Sequence, residues 1–367
     1  MKILVIDNSA VSVQEGRPLT NTFNGLFFEE LIERGNIVSY FQFKSNTHNN
    51  INSFDLKAHG VTCYLVPRLK SKILSYILLF FKSFTIVRKV DFLYLYYPNT
   101  LKFIYFLCRL YKKPYGIYIR GMNGLNDKLS HAIYKNAYVV FTVSDFFTNS
   151  VKKYSKRGNV FTIRPMIPYC DTDIIKGRDY STPAHFNILF LGRLDKDKGL
   201  VELLKAARHL HEKDYQFKLH IVGDGQFSDT VRQLVDDLSQ ASYVSIDGPV
   251  YDNHLKAEIY RRSDIYVLPT YHEGFPRTLY EAMIFGTPII TTFVGGIPAL
   301  MVDGVNCKKI EAKSVDSLVK GLSYAMDNYH AMGCMALNAS SLVGKIIDRN
   351  RLSHAQHLDL LLKNYEK

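Results

Sequence analysis

The chain has 367 residues, 47% hydrophobic and 13% aromatic, with a formal net charge of +12. That apolar content excludes a disordered chain, and the length suits two domains of ordinary size. No run approaches the roughly 18–20 apolar residues of a bilayer-crossing helix, and five scattered cysteines without metal-ligand spacing read as reduced thiols of a cytoplasmic protein.

The opening MKILVIDNSA has the pattern of a buried strand rather than of a signal peptide. A polar loop containing Glu15 and Gly16 follows, then a helix carrying Phe23, Leu26, Phe27 and Leu31 that ends at Gly35. Further strands are expected at 37–43, 61–66, 92–97, 115–119 and 137–143, alternating with helical stretches. This alternation predicts a parallel sheet covered on both faces. Arg120 and Gly121 stand at the end of the 115–119 strand.

Charge is unevenly spread. Residues 1–180 carry 25 Lys and Arg against 12 Asp and Glu, whereas the remainder carries 21 against 22. The basic excess concentrates in 68–89 (RLKSKILSYILLFFKSFTIVRK) and 101–113 (LKFIYFLCRLYKK), where cations interleave with long apolar side chains. Ile73, Leu74, Ile77, Leu78 and Phe81 fit the core face of a sheet-covering helix. The run ILLFF is nevertheless apolar on more sides than burial against one sheet needs, which favours contact with an anionic membrane surface.

Residues 163–185 hold three prolines, many polar residues and no periodicity, so 166–185 is expected to link a domain over 1–165 to a second over 186–344. The second domain opens with FNILFLGRLDKDKG, a strand ending at Gly192 and followed by Arg193 and Lys198 before an amphipathic helix. A bidentate guanidinium and a compact ammonium at such a place suit a diphosphate. LHIVGDG is another strand running into a glycine turn at Gly223. In IYVLPTYHEGFPRTLYEAMIFGTPIITT, a buried strand leads to Glu273, a turn at Gly274, and a short helix begun by Pro276 and stopped by Gly286 and Pro288. Glu273 then precedes the helix and Glu281 lies about one turn inside it. The free amides of the helix start suit an anion. Residues 345–367 read as a final helix.

From about 186 to 328 these motifs, in this order, resemble the nucleotide-sugar-binding half of the family-four retaining glycosyltransferases, of the group 1 type. The resemblance implies the GT-B architecture, two Rossmann-like α/β domains with doubly wound parallel sheets facing a central cleft. The acceptor would bind mainly to the first domain and the donor to the second, with the final helix packing back toward the first. It implies that Glu281 holds the donor ribose, that Arg193 and Lys198 face the leaving diphosphate, and that Glu273 contacts the transferred sugar. The backbone of Gly274, Phe275, Arg277, Thr278 and Leu279 would lie nearby, with Gly223 and Gly16 also at the donor. The pattern departs at Ala299, where many members carry Glu, and at Arg120, where many place a histidine near the acceptor. Arg120 binds a phosphate of donor or acceptor, or only covers the strand end; both readings stand. The implied activity is transfer of a sugar from a nucleoside diphosphate to a hydroxyl acceptor, expected to be a lipid-linked or cell-surface polysaccharide intermediate at the inner face of the cytoplasmic membrane. No metal-ligand cluster is read from the sequence, so metal independence is expected, with no other cofactor and no nucleic acid partner. A nucleotide-sugar epimerase of the same architecture is one alternative. A non-enzymatic binder of membrane or nucleic acid through the basic half is another.

Overall fold

The structure, a computed structural model, describes residues 1–8, 10–45, 52–97, 101, 103–121, 125, 127–274, 276–348 and 350–365. The chain divides into two compact units: Met1–Met166 with Arg351–Lys367, and Ile167–Asn350.

The first unit holds strands β1 (Lys2–Ile6), β2 (Val11–Gln14), β3 (Arg17–Asn21), β4 (Ile37–Ser45) and β5 (Asn52–Asp55). They are followed by β6 (Thr62–Pro67), β7 (Phe92–Tyr97), β8 (Tyr115–Ile119), β9 (Val139–Thr142) and β10 (Val160–Thr162). Its helices are α1 (Thr22–Glu33), α2 (Lys72–Arg88), α3 (Phe103–Leu110), α4 (Lys128–Asn136) and α5 (Asp145–Lys152). The parallel core runs β10-β9-β8-β7-β1-β4, and β6 also pairs with β4. Every residue of β7 is buried, as a strand covered on both faces requires.

One expectation fails locally. The segment read as a polar loop around Glu15 and Gly16 is a β-hairpin: β2 and β3 pair antiparallel, and β3 pairs with β5. Glu15 (φ 49) and Gly16 (φ 78) form its turn, where both central residues need positive φ and glycine meets that demand without strain. Hairpin chemistry thus accounts for Gly16, and nothing lies within 4 Å of where its Cβ would stand.

The second unit is a six-stranded sheet of β11 (Phe186–Leu191), β12 (Phe217–Val222), β13 (Val244–Asp247), β14 (Ile265–Leu268), β15 (Ile289–Thr292) and β16 (Lys308–Ile310). Its helices are α6 (Leu200–His211), α7 (Ser228–Asp237), α8 (Asn253–Arg262), α9 (Arg277–Ile284), α10 (Val315–Asp327) and α11 (Tyr329–Ile347). The order is β13-β12-β11-β14-β15-β16 with every pair parallel. Chain direction across the sheet therefore reverses between β11 and β14, and a crevice opens outside their carboxyl ends at such a switch point.

Residues 167–185, expected as a linker, belong instead to the packing of the second unit. Arg178 Nη1 donates to Phe285 O at 3.0 Å and to Tyr260 O at 3.3 Å, and Nη2 donates to Ser263 O. These carbonyls lie at the ends of α8 and α9, where backbone oxygens lack intrahelical partners and a guanidinium can satisfy several at once. Tyr169 stacks edge-on against Phe285 at 4.9 Å. The last helix, α12 (His354–Tyr365), starts later than expected because α11 runs to Ile347. It belongs to the first unit, where Asn36 Nδ2 donates to Asp359 Oδ1 at 2.8 Å and buried His354 stacks on Phe27 at 4.5 Å. Among the described residues no helix is long and apolar enough to cross a membrane.

Candidate functional site

The site assembles at the carboxyl ends of β11 and β14, which are neighbours in the sheet. After β11 the chain turns at Gly192, passes Arg193 and enters a 3-10 turn over Lys196–Lys198. Gly199 then adopts φ 70, and a Cβ there would stand 2.2 Å from Pro269 O. Only glycine lets this loop lie so close to the end of β14. Two more glycines support it from β12: a Cβ on Gly223 would stand 1.9 Å from Gly192 O, and one on Gly225 2.3 Å from Leu194 O. Leu194 N donates to Asp224 O at 2.9 Å, closing that contact. Gly223 thus packs beneath the loop that carries the cations.

The loop after β14 is held as tightly. Tyr271 N donates to Asp197 O at 2.7 Å, and Thr292 Oγ1 donates to Thr270 O at 2.7 Å. Gly296 N donates to Gly274 O at 3.1 Å, and Gly295, at φ 59, lies so close that a Cβ would stand 1.7 Å from Glu273 O. These contacts bring Glu273 to Lys198: the Lys198 ammonium donates to Glu273 Oε1 in a salt bridge, with side chains only 9% and 17% exposed. Arg193, a second cation of the loop, differs. Arg193 Nη1 pairs with Asp195 Oδ2 at 2.7 Å, but its side chain is 67% exposed.

Pro276 caps α9 without a side-chain bond, so the helix start keeps amides to offer. Leu279 is an exception among the expected donors, because its N–H is directed to Pro276 O at 3.3 Å and its side chain is fully buried. Thr278 is half-buried and its carbonyl accepts from Tyr260 Oη at 3.2 Å. Arg277 is exposed at the first helical position. Phe275 lies outside the described residues.

Glu281 is 4% exposed and accepts from Tyr260 Oη at Oε2, 3.1 Å away; Oε1 takes no bond among the described residues. Burial raises its carboxyl above the ordinary range, while Lys256, the Tyr260 hydroxyl and Arg277 pull the other way. Tyr266 of β14 feels both acidic groups: burial first, then Glu273 and Glu281, push its phenol well up, against a bond from Thr278. Tyr260 and Tyr266 were not singled out from sequence. Each sits in a helix or strand pattern where an aromatic reads as core, and both are indeed fully buried.

Arg120 and Gly16 belong to the first unit, so the second-unit cluster is built without them. Arg120 is exposed at the end of β8, with its guanidinium 4.9 Å from the Tyr96 ring centre and 5.8 Å from that of Tyr118. Among the described residues no group of three or more His, Cys, Asp or Glu side chains is placed to hold a metal ion.

The arrangement offers a cation held in place, helix amides and a carboxylate oxygen that takes no bond among the described residues, all at the carboxyl edge of one sheet. Residues 182–339 match the family model described as glycosyl transferases group 1, so the resemblance carried by the motifs holds over that segment. A D-inositol 3-phosphate glycosyltransferase from Corynebacterium aurimucosum is 30% identical over 158 residues, 41% of this chain and 37% of that one. The alignment thus spans well under half of that relative's length. Across the full chain the fold is GT-B. The crystal structure of Anabaena HepE in complex with UDP and glucose superimposes with a TM-score of 0.69, covering 100% of this chain and 99% of that one at 16% identity. Sucrose-phosphate synthase from Thermosynechococcus elongatus gives 0.71 at 15% identity, covering 100% and 98%.

Proposed function

We propose that this chain is a retaining glycosyltransferase that moves a sugar from a nucleoside diphosphate to an acceptor hydroxyl. The observation that carries the reading is the nearly buried Lys198–Glu273 pair at the β11/β14 switch point, beside the start of α9. Buried charge is expensive, and a lone ion pair at a sheet edge is not needed to hold a Rossmann-like unit together. Its position instead suits a reaction that develops negative charge.

In this reading Oε1 of Glu281 accepts from the ribose hydroxyls, since it is the carboxylate oxygen that Tyr260 leaves open. Lys198, Arg193 and the α9 amides face the diphosphate, and Glu273 orients the transferred sugar while holding Lys198 in place. The anomeric C–O bond to the diphosphate breaks as a new C–O bond to the acceptor forms on the same face. The acceptor proton passes to the departing phosphate oxygen, releasing the nucleoside diphosphate. Stabilisation of that leaving oxygen is electrostatic and uses charges already in place. Because side chains and amides supply the positive field, the transfer is read as metal independent. The acceptor is read as a lipid-linked or cell-surface polysaccharide intermediate, taken up by a cytoplasmic enzyme working at the membrane surface.

The test is product analysis with a panel of UDP-, GDP-, ADP- and CMP-sugars, first ranked by thermal shift, because a ligand that binds the native state raises its apparent stability. Glu281→Ala and Lys198→Ala are each expected to abolish transfer while leaving the circular dichroism spectrum unchanged. Full activity in both would refute the assignment, and donor turnover without any acceptor would point to an epimerase.

A further inference from the structure

Helix α2 buries Leu79, Ile86 and Val87 but carries large apolar side chains on its outer face as well. The residues it buries include Ser75 and Ser83, which turn their hydroxyls onto backbone: Ser75 Oγ donates to Ser71 O at 2.9 Å and Ser83 Oγ to Phe80 O at 2.5 Å. Its outer face carries Ile73 (73% exposed), Leu74, Ile77 and Phe81 (65% exposed). At about 100° per residue these four fall within an arc of roughly 100° centred opposite buried Leu79. A surface helix of a water-soluble unit ordinarily shows the reverse, with polar residues outside. The neighbouring helix α3 packs on α2 through Phe103 against Phe80, 5.1 Å between ring centres. It too leaves large apolar side chains outside, Phe106 at 63% and Leu110 at 53% exposure.

The charge around this face has one sign. Every charged residue in 68–89 and in 103–113 is Lys or Arg. Lys70, Lys72, Lys82 and Lys112 are exposed, and among the described residues they make no ion pair. A second copy of the chain seated on this face would set like charge against like. An anionic lipid surface would instead meet the lysines with lipid phosphates and take the apolar side chains into the acyl boundary.

We propose that the exposed faces of α2 and α3 form a docking surface for an anionic lipid bilayer, with Ile73, Ile77 and Phe81 inserted and Lys70, Lys72 and Lys82 at the headgroups. The docking surface lies in the first unit and is independent of whether the second unit transfers a sugar, so the two readings fail separately.

The experiment is co-sedimentation of the full chain with vesicles of phosphatidylcholine and phosphatidylglycerol, and with phosphatidylcholine alone, at low and high salt. Binding is expected on the anionic vesicles only and should weaken as salt rises. Ile73→Ser/Ile77→Ser/Phe81→Ser and, separately, Lys70→Gln/Lys72→Gln/Lys82→Gln should each lower the vesicle partition coefficient, the latter by roughly five-fold per lysine. All six positions are outward-facing, so both variants should keep the wild-type melting temperature. No sedimentation at low salt overturns the proposal, as does equal binding to neutral vesicles or wild-type binding by both variants. A dimer in sedimentation velocity that the Ile/Phe variant dissolves would also overturn it, assigning the face to a second copy.

Discussion

Removing one member of the Lys198–Glu273 pair, then both, separates a structural role from a chemical one. Lys198→Met leaves a mostly buried carboxylate without its cation, and Glu273→Gln leaves a mostly buried ammonium without its anion. Breaking a buried pair from one side costs about 3–5 kcal/mol. With side-chain exposures of 9% and 17%, the lower end, about 3 kcal/mol, applies here. For a domain of this size each kcal/mol lowers the melting temperature by about 2–4 °C, so each single variant should melt roughly 6–12 °C lower. The double variant places two uncharged side chains together and should recover most of that loss. Turnover should behave differently. A cation facing a developing oxyanion is worth about 10²–10³ in rate, and nothing in the double variant restores it. The assay is thermal unfolding beside initial-rate sugar transfer, run well below the lowest melting temperature. If the double variant regains wild-type stability and wild-type kcat together, the pair is only a strut and the catalytic argument fails.

Two further outcomes follow from the same site. Burial keeps Glu281 protonated to higher pH in the folded chain than in the unfolded one, where its value is about 4.3. Stability from this group is therefore fully present below the unfolded value and is lost as pH rises through the folded one. Glu281→Gln has no such loss, so its melting temperature relative to wild type should rise as pH climbs above about 4 while donor affinity falls; a pH-independent difference would contradict the assigned burial. Gly295→Ala puts a Cβ at φ 59 and 1.7 Å from Glu273 O. Left-handed backbone alone costs about 1–2 kcal/mol, and the Glu273 loop must also shift. Donor affinity should drop well below that of Gly248→Ala, a position with nothing within 4 Å; equal affinities in calorimetric titration would show that Gly295 does not hold the loop.

The second unit was largely legible because its chemistry is local. Strands β11 and β12 are short apolar runs ending at Gly192 and Gly223, and a helix start with its proline and stop signals lies within a few residues of Glu273 and Glu281. The meeting of Lys198 with Glu273 is different: the two are separated by 75 positions, and no periodicity reports a contact at that distance. The close approaches of Gly199 to Pro269 and of Gly295 to Glu273 were hidden for the same reason. Residues 167–185 misled because prolines and polar side chains read as a linker, whereas Arg178 and Tyr169 bind that segment to α8 and α9 through carbonyls that sequence does not display. The hairpin at Glu15 and Gly16 carried a signal, the alternation of VSVQ on one side of the glycine, but Pro18 in its second strand obscured it.

Arg193 and Lys198, two of the three cations in the loop after β11, show how one motif divides its labour. Both meet carboxylates before any ligand arrives, Arg193 with Asp195 and Lys198 with Glu273. An exposed pair such as the first is weak, and water can replace either partner at small cost. Arg193 is thus free to leave Asp195 and reach an approaching phosphate, a contribution to encounter and binding. Lys198 has no such freedom: its stem is enclosed, and Glu273 fixes its ammonium through a loop that is itself pinned by Gly295 and Thr270. A charge that does not reorganise when the leaving group forms stabilises the transition state more than one that must move. On the proposed function, the difference in burial, rather than the identity of the side chains, would give Lys198 the chemical step and Arg193 the capture of the donor.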